Sequence, residues 1–222
     1  MPRQTGRWLQ KAGRKATGHD YALVQQSRPG AASPVDGEGI LTRFPIVETA
    51  NLDYEALRNG GVRRYSDYGV GQGGVAQVTR LHVYGRLMDV YVTHLYRSTG
   101  EDSLRLYQVQ RLLEWVGSRN DVDVKVVCGD FNATLDMPSA KLMSSEFTPT
   151  QTAPTAFTPL ADLDGEPSHA GWERFDRCID YIWVSGQVRV VESGVCFAEP
   201  DPGDATLWPS DHAGVWADLD FA

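Results

Sequence analysis

Four short stretches of this 222-residue chain place titratable or amide side chains where an apolar run ends. Val126-Val127-Cys128-Gly129-Asp130-Phe131-Asn132 sets Asp130 and Asn132 two apart, so extended alternation points both to one side. There a carboxylate would take a proton from water and an amide would hold an anionic oxygen. An Asx-type turn closing a strand is the competing reading. Asp211 and His212 lead directly into Ala213-Gly214-Val215. Neighbours on an ideal strand face opposite sides, so at its mouth one would meet a cation while the other meets substrate; a plain loop-to-strand transition is the alternative. Asp180 interrupts Cys178-Ile179-Asp180-Tyr181-Ile182. A carboxylate in such a run needs a partner, either a histidine, Arg177 or a backbone N–H. His94 closes Tyr91-Val92-Thr93-His94, where a hydrophobe would continue the pattern, although a lone rim histidine is more often structural.

The pattern predicts the elements that carry these residues. Residues 4–16 read as a basic helix and Tyr21–Gln25 as a first strand, followed by a Gly/Pro/Ser-rich loop to Gly37. Gly39–Phe44 reads as a short strand. Val75–Val83 and Leu87–Thr93, joined at Tyr84-Gly85-Arg86, read as an antiparallel hairpin. Ser103–Val116 spaces Leu104, Tyr107, Leu112, Trp115 and Val116 along one helical stripe, with Asp102 as cap. Asp123–Cys128, Cys178–Val184, Val188–Cys196 and Ala213–Leu219 complete the strands, and Pro138 opens a short helix. Hairpins with interspersed helices point to an α/β fold of stacked sheets with helices outside.

Composition narrows the class. With 41% hydrophobic and 23% charged residues, the chain has enough apolar surface for one core, and a single domain over 1–222 is expected. Lys and Arg number 21 against 29 Asp and Glu, a formal net charge of -8, which disfavours adhesion to nucleic acid or anionic membrane through bulk charge. Arg3, Arg7, Lys11, Arg14 and Lys15 nevertheless cluster near the start. No run approaches the roughly 18 apolar residues of a membrane span, and residues 1–20 lack a secretory apolar segment. Cys128, Cys178 and Cys196 read as buried thiols with no zinc spacing, and their odd number points weakly to cytoplasm.

His94 in Thr-His-Leu, Gly-Asp-Phe-Asn at 129–132, Ile-Asp-Tyr-Ile at 179–182 and Ser-Asp-His at 210–212, in that order, resemble the endonuclease/exonuclease/phosphatase superfamily. Arg43-Phe44-Pro45-Ile46, Arg105 and Gln108 add weaker agreement, and the resemblance covers about residues 20–220. It implies a DNase I-like four-layer α/β/β/α sandwich and metal-dependent hydrolysis of a phosphate ester. Asp130 would orient or deprotonate water, and Asn132 and His94 would bind the scissile phosphate. His212 would stabilise developing charge, Asp180 would hold its imidazole, and Asp211 would help bind Mg²⁺ or Mn²⁺. Phosphoryl transfer asks mainly for positioning and charge neutralisation, which these groups supply without a covalent nucleophile.

The resemblance also marks departures. Its members normally begin with a strand ending in Asn and later a Gln-Glu pair whose Glu is the main metal ligand; this chain opens Met1-Pro2-Arg3-Gln4 and carries neither. A late start, a fragment or a natural short form with weakened catalysis would each account for it, and a truncated or mis-started chain is favoured. No counterpart of the family's second Glu-containing strand is evident between Asn51 and Gly74, where Glu55 reads as part of a helical turn. A phosphodiesterase or nuclease acting as a monomer is therefore expected, with a phosphomonoesterase or phospholipid phosphodiesterase as enzymatic rivals. A noncatalytic phosphate-ligand or protein-binding module is the alternative from another class. Arg63-Arg64 and the basic helix are candidate phosphate contacts, Tyr96 and Arg97 candidate substrate contacts, and His169 and Trp172 more often cover a core edge.

Overall fold

The computed structural model describes residues 5–25, 38–54, 74–96, 102–156, 176–204 and 209–222; Arg3, Glu55, Arg63, Arg64, Arg97, His169 and Trp172 lie outside the described residues. At its centre is a mixed six-stranded sheet of β3 (Ile46–Asp53), β4 (Val75–Val83), β5 (Arg86–His94), β6 (Val124–Asp130), β7 (Thr148–Pro149) and β8 (Asp180–Gly186), in the order β3-β4-β5-β6-β8-β7. Only β5 and β6 pair in parallel. A parallel pair needs a crossover, supplied by α2 (Ser103–Gly117).

Alternation sorts side chains between the two faces of this sheet. Ala76, Val78, Tyr91, Val127 and Trp183 pack with Val109, Leu112 and Val116 of α2 and Met143 of α3 (Pro138–Ser144). On the opposite face, Met88, Val90, Val126, Ile182 and Val184 meet Val188 and Val190 of β9 (Val188–Cys196) and Leu219 and Phe221 of β10 (Gly214–Phe221). Leu112 is fully buried, so its truncation to Ala would cost about 2–5 kcal/mol. A second antiparallel ribbon, β1 (Ala22–Gln25) with β2 (Gly39–Thr42), carries α1 (Thr5–Thr17) on it. Helices α2 and α3 on one face of the six-stranded sheet and the β9–β10 ribbon on the other are consistent with the α/β/β/α reading, and α1 covers the separate β1–β2 ribbon.

Four expectations change. Ile46–Asp53 is a strand that the pattern missed: it is the edge of the sheet, with Ile46 and Val47 exposed, so it lacks an apolar alternation. The early strand stops at Thr42, whose Oγ1 accepts the Phe44 N–H at 3.0 Å and turns the chain. The α2 stripe is rotated: Arg105, Gln108, Val109, Leu112 and Val116 are its buried residues, in place of Leu104 and Tyr107. Asp102 makes no side-chain cap on α2. Its carboxylate instead binds Arg105 Nε at 2.6 Å and accepts from Ser139 N at 2.6 Å, in the first turn of α3, tying the two helices together.

The three cysteines are free and half-buried. Among the described residues no helix is long and apolar enough to cross a membrane.

Candidate active site

The C-terminal ends of β5 and β6 and the start of β8 form one row. Parallel pairing sets His94 opposite Asp130, and antiparallel pairing sets Asp130 opposite Asp180. Residues paired in register share a face, and these have the parity of Val126, Ile182 and Val184, which meet the β9–β10 hairpin. His94 Nε2 lies 3.4 Å from Asp130 Oδ2. The turn before β10 brings in His212, whose Nδ1 lies 2.8 Å from Asp180 Oδ2. Ligating atoms of Asp130, Asp180 and His212 all fall within 4.8 Å of one another.

Local sequence makes this row possible. Gly129 has φ +143, and a Cβ on it would sit 1.8 Å from the Thr93 carbonyl oxygen, so only glycine lets β6 lie this close to β5. Asn132 takes a left-handed φ of 49, which asparagine tolerates. Its backbone N–H donates to Asp130 Oδ1 at 2.7 Å, and its side-chain amide donates to Asp130 Oδ2 at 3.2 Å and Leu95 O at 3.0 Å. The Asx turn therefore exists and also clamps the carboxylate. Both amide hydrogens of Asn132 are engaged, so holding a phosphate oxygen would require one of these bonds to exchange.

Beyond the row, Gln108 Oε1 accepts the Tyr96 N–H at 2.9 Å and Arg105 Nη1 donates to Tyr96 O at 3.3 Å. These buried polar residues of α2 hold the chain just after His94, which explains why they displace apolar residues from the helix stripe.

The electrostatics are uneven. Burial, then the negative charge of Asp180, push the Asp130 carboxyl up to about 6; His212 and the Asn132 N–H act the other way. The Asp180 hydrogen bond raises His212 above the ordinary imidazole range against the opposing effect of burial. A carboxyl poised near neutrality beside a stabilised imidazolium is a workable acid–base pair.

A sequence profile described as the Endonuclease/Exonuclease/phosphatase family matches residues 5–212. The chain belongs to this family. Membership makes it a phosphoester hydrolase of a class that is typically divalent-metal dependent. No curated protein matches the chain. Among solved structures, it resembles an endonuclease/exonuclease/phosphatase family protein from Leptotrichia buccalis at 18% identity and TM-score 0.66, over 97% of this chain and 77% of that one. The human Nocturnin catalytic domain with bound sulfate anion matches at 22% identity and TM-score 0.63, over 96% and 75%. D. rerio TDP2 complexed with single strand DNA product matches at 13% identity and TM-score 0.67, over 95% and 81%. At such identities the likeness establishes the DNase I-like fold.

Within the family frame, the structure gathers His94, Asp130, Asn132, Asp180 and His212 into one cluster. Of the partners open to Asp180, the histidine is the one seen. Asp211 lies outside the close group, exposed, accepting from Ser210 Oγ at 3.3 Å. Ser210 Oγ in turn accepts the His212 N–H at 3.1 Å, the geometry of a turn residue. Thr155 belongs to the site's framework and was invisible in the sequence, because its contacts, to Ile179 N, Asp180 N and Ala213 N, are all distant along the chain.

Two carboxylates and an imidazole within this radius suit a hard or borderline divalent cation. Because Nδ1 of His212 is engaged with Asp180, the oxygen donors of Asp130 and Asp180 are the fitting first contacts, a set in keeping with a cation that retains much of its water.

Proposed function

We propose that this chain is a metal-dependent phosphodiesterase, with a nucleic acid as its substrate, acting as a monomeric single domain over residues 1–222. The convergence of His94, Asp130, Asp180 and His212 at one sheet end carries the reading. Asp130, as a carboxylate, orients and deprotonates the attacking water. His94 stands beside it to meet the phosphate, and Asn132 fixes the carboxylate. His212, held cationic by Asp180, faces charge developing on the phosphoryl oxygens. Asp130 and Asp180 would hold Mg²⁺ or Mn²⁺, with Asp211 adding negative charge at the exposed rim. The bound cation would neutralise phosphate charge and acidify water.

The nucleic-acid choice draws support from α1, which exposes Arg7, Lys11 and Lys15 despite the acidic whole, and from the neighbour solved with a DNA product. The test compares hydrolysis of bis-p-nitrophenyl phosphate and p-nitrophenyl phosphate with Mg²⁺ or Mn²⁺, in the wild-type chain, Asp130→Ala and His212→Ala. Cation-dependent cleavage that favours the diester and disappears in both variants is expected. Preference for the monoester would replace the reading with a phosphomonoesterase. Folded protein without turnover would leave a phosphate-ligand binding module of the same fold.

A further inference from the structure

Asp180 and His212 lie far apart in sequence, yet their hydrogen bond is 2.8 Å. Between them sits Thr155, with no exposed surface. Its Oγ1 accepts from two successive amides, Ile179 N at 3.2 Å and Asp180 N at 3.1 Å. In a regular strand successive N–H groups point to opposite edges, so the chain entering β8 is bent around this hydroxyl immediately before the Asp180 side chain departs. The hydroxyl hydrogen is directed at Arg177 O, 3.4 Å away. The main chain of the same residue holds the other half of the pair: Thr155 O accepts from Ala213 N at 2.7 Å, next to His212, and Ala156 forms an isolated bridge with His212.

We infer that Thr155 is the positioning residue that sets the Asp180–His212 pair, its hydroxyl fixing Asp180 and its carbonyl fixing His212. Thr155→Val preserves shape and the carbonyl while leaving two amides without their acceptor, so Asp180 alone is released. Thr155→Ser restores the acceptor with less bulk. The activity arm rests on the phosphodiesterase reading; a spectroscopic arm on the substrate-free protein does not.

In ¹⁵N-labelled chain, the His212 Nδ1 resonance should lose its hydrogen-bonded position in Thr155→Val and keep it in Thr155→Ser. With bis-p-nitrophenyl phosphate and Mg²⁺, kcat should fall about 10- to 100-fold in Thr155→Val with KM within threefold, because misplacement by about an ångström is that costly. Thr155→Ser should stay within threefold of wild type. Thr155→Ala replaces Thr155→Val if the latter does not fold. An unchanged His212 resonance in the hydroxyl-free variant, or equal damage in Thr155→Ser, overturns the inference. So does failure of both hydroxyl-free variants to fold beside a native Thr155→Ser, which assigns the hydroxyl to folding. Absence of turnover in the wild type defeats the phosphodiesterase reading and leaves the resonance to decide on Thr155.

Discussion

Asp89 and Asp130 lie on neighbouring strands of the same sheet, at opposite ends and on opposite faces, and respond to burial in opposite ways. The Asp89 side chain has no exposed surface, yet its carboxyl is held below the usual range: burial opposes ionisation, and the bonds from Arg80 and Arg119 outweigh it. Arg80 Nε lies 2.7 Å from one oxygen and Arg119 Nε 2.9 Å from the other. Asp121 pairs with the outer side of Arg80, and Glu48 with Arg119. Asp130 is slightly more open, at 15%, but there burial, joined by the negative charge of Asp180, outweighs the opposing pull of His212 and the Asn132 N–H, and it rises to about 6. Burial opposes ionisation of both acids, and bonded guanidiniums overcome it at Asp89 while the partners of Asp130 do not. Roughly 17 Å of β5 separates the two ends, at about 3.4 Å per residue.

This contrast breaks most sharply at Asp130. Asp130→Ala should lower kcat by about a thousandfold, within the usual span for a general base, while leaving the urea midpoint unchanged or higher. A comparable loss of stability would show that Asp130 is a strut after all. Asp89→Ala should do the reverse, costing about 3–5 kcal/mol in urea denaturation by leaving two guanidiniums without their shared anion, with kcat per folded molecule within a few-fold. A smaller effect is expected at the second pair: His212→Asn should lower kcat about a hundredfold, and at saturating Mg²⁺, where added cation offsets the lost carboxylate ligand, adding Asp180→Asn should cost little more, since the two share one hydrogen bond. Additive losses would separate them.

The two acids should also differ in pH dependence. Asp130 titrates above its unfolded value, so the stability its protonated form contributes is present at low pH and lost as pH rises through about 6. In metal-free buffer Asp130→Asn should therefore gain stability relative to wild type between pH 5 and 7.5, on the order of 1–2 kcal/mol. Asp89 titrates below its unfolded value, so its contribution is present above the ordinary carboxylate range and lost as pH falls through its folded value. Urea unfolding at pH 4, 5 and 7.5 for wild type and both single variants checks both signs.

The sequence revealed the candidate-site end of the sheet better than the ionic end. His94, Asp130, Asp180 and His212 each break an apolar pattern where a strand ends or begins, and that interruption is a local signal. Asp89 also interrupts a strand, but its partners come from β4 and from the turn after α2, and a long-range ion network leaves no periodic trace. The edge strand Ile46–Asp53 was hidden by its own exposure. Asp102 was legible as a helix-start residue, but which helix it serves depends on how α2 meets α3. Thr155 was silent because an oxygen shared by two amides is a property of the folded chain alone.

Gly129 shows how a position can govern a reaction without meeting its reactants. A library randomised there would return glycine almost alone, since any larger residue must push two neighbouring main chains apart. A survey scored by activity would therefore rank it beside the proton-handling groups. Sorting the same library by cellular abundance would reveal whether its intolerance belongs to architecture or to turnover.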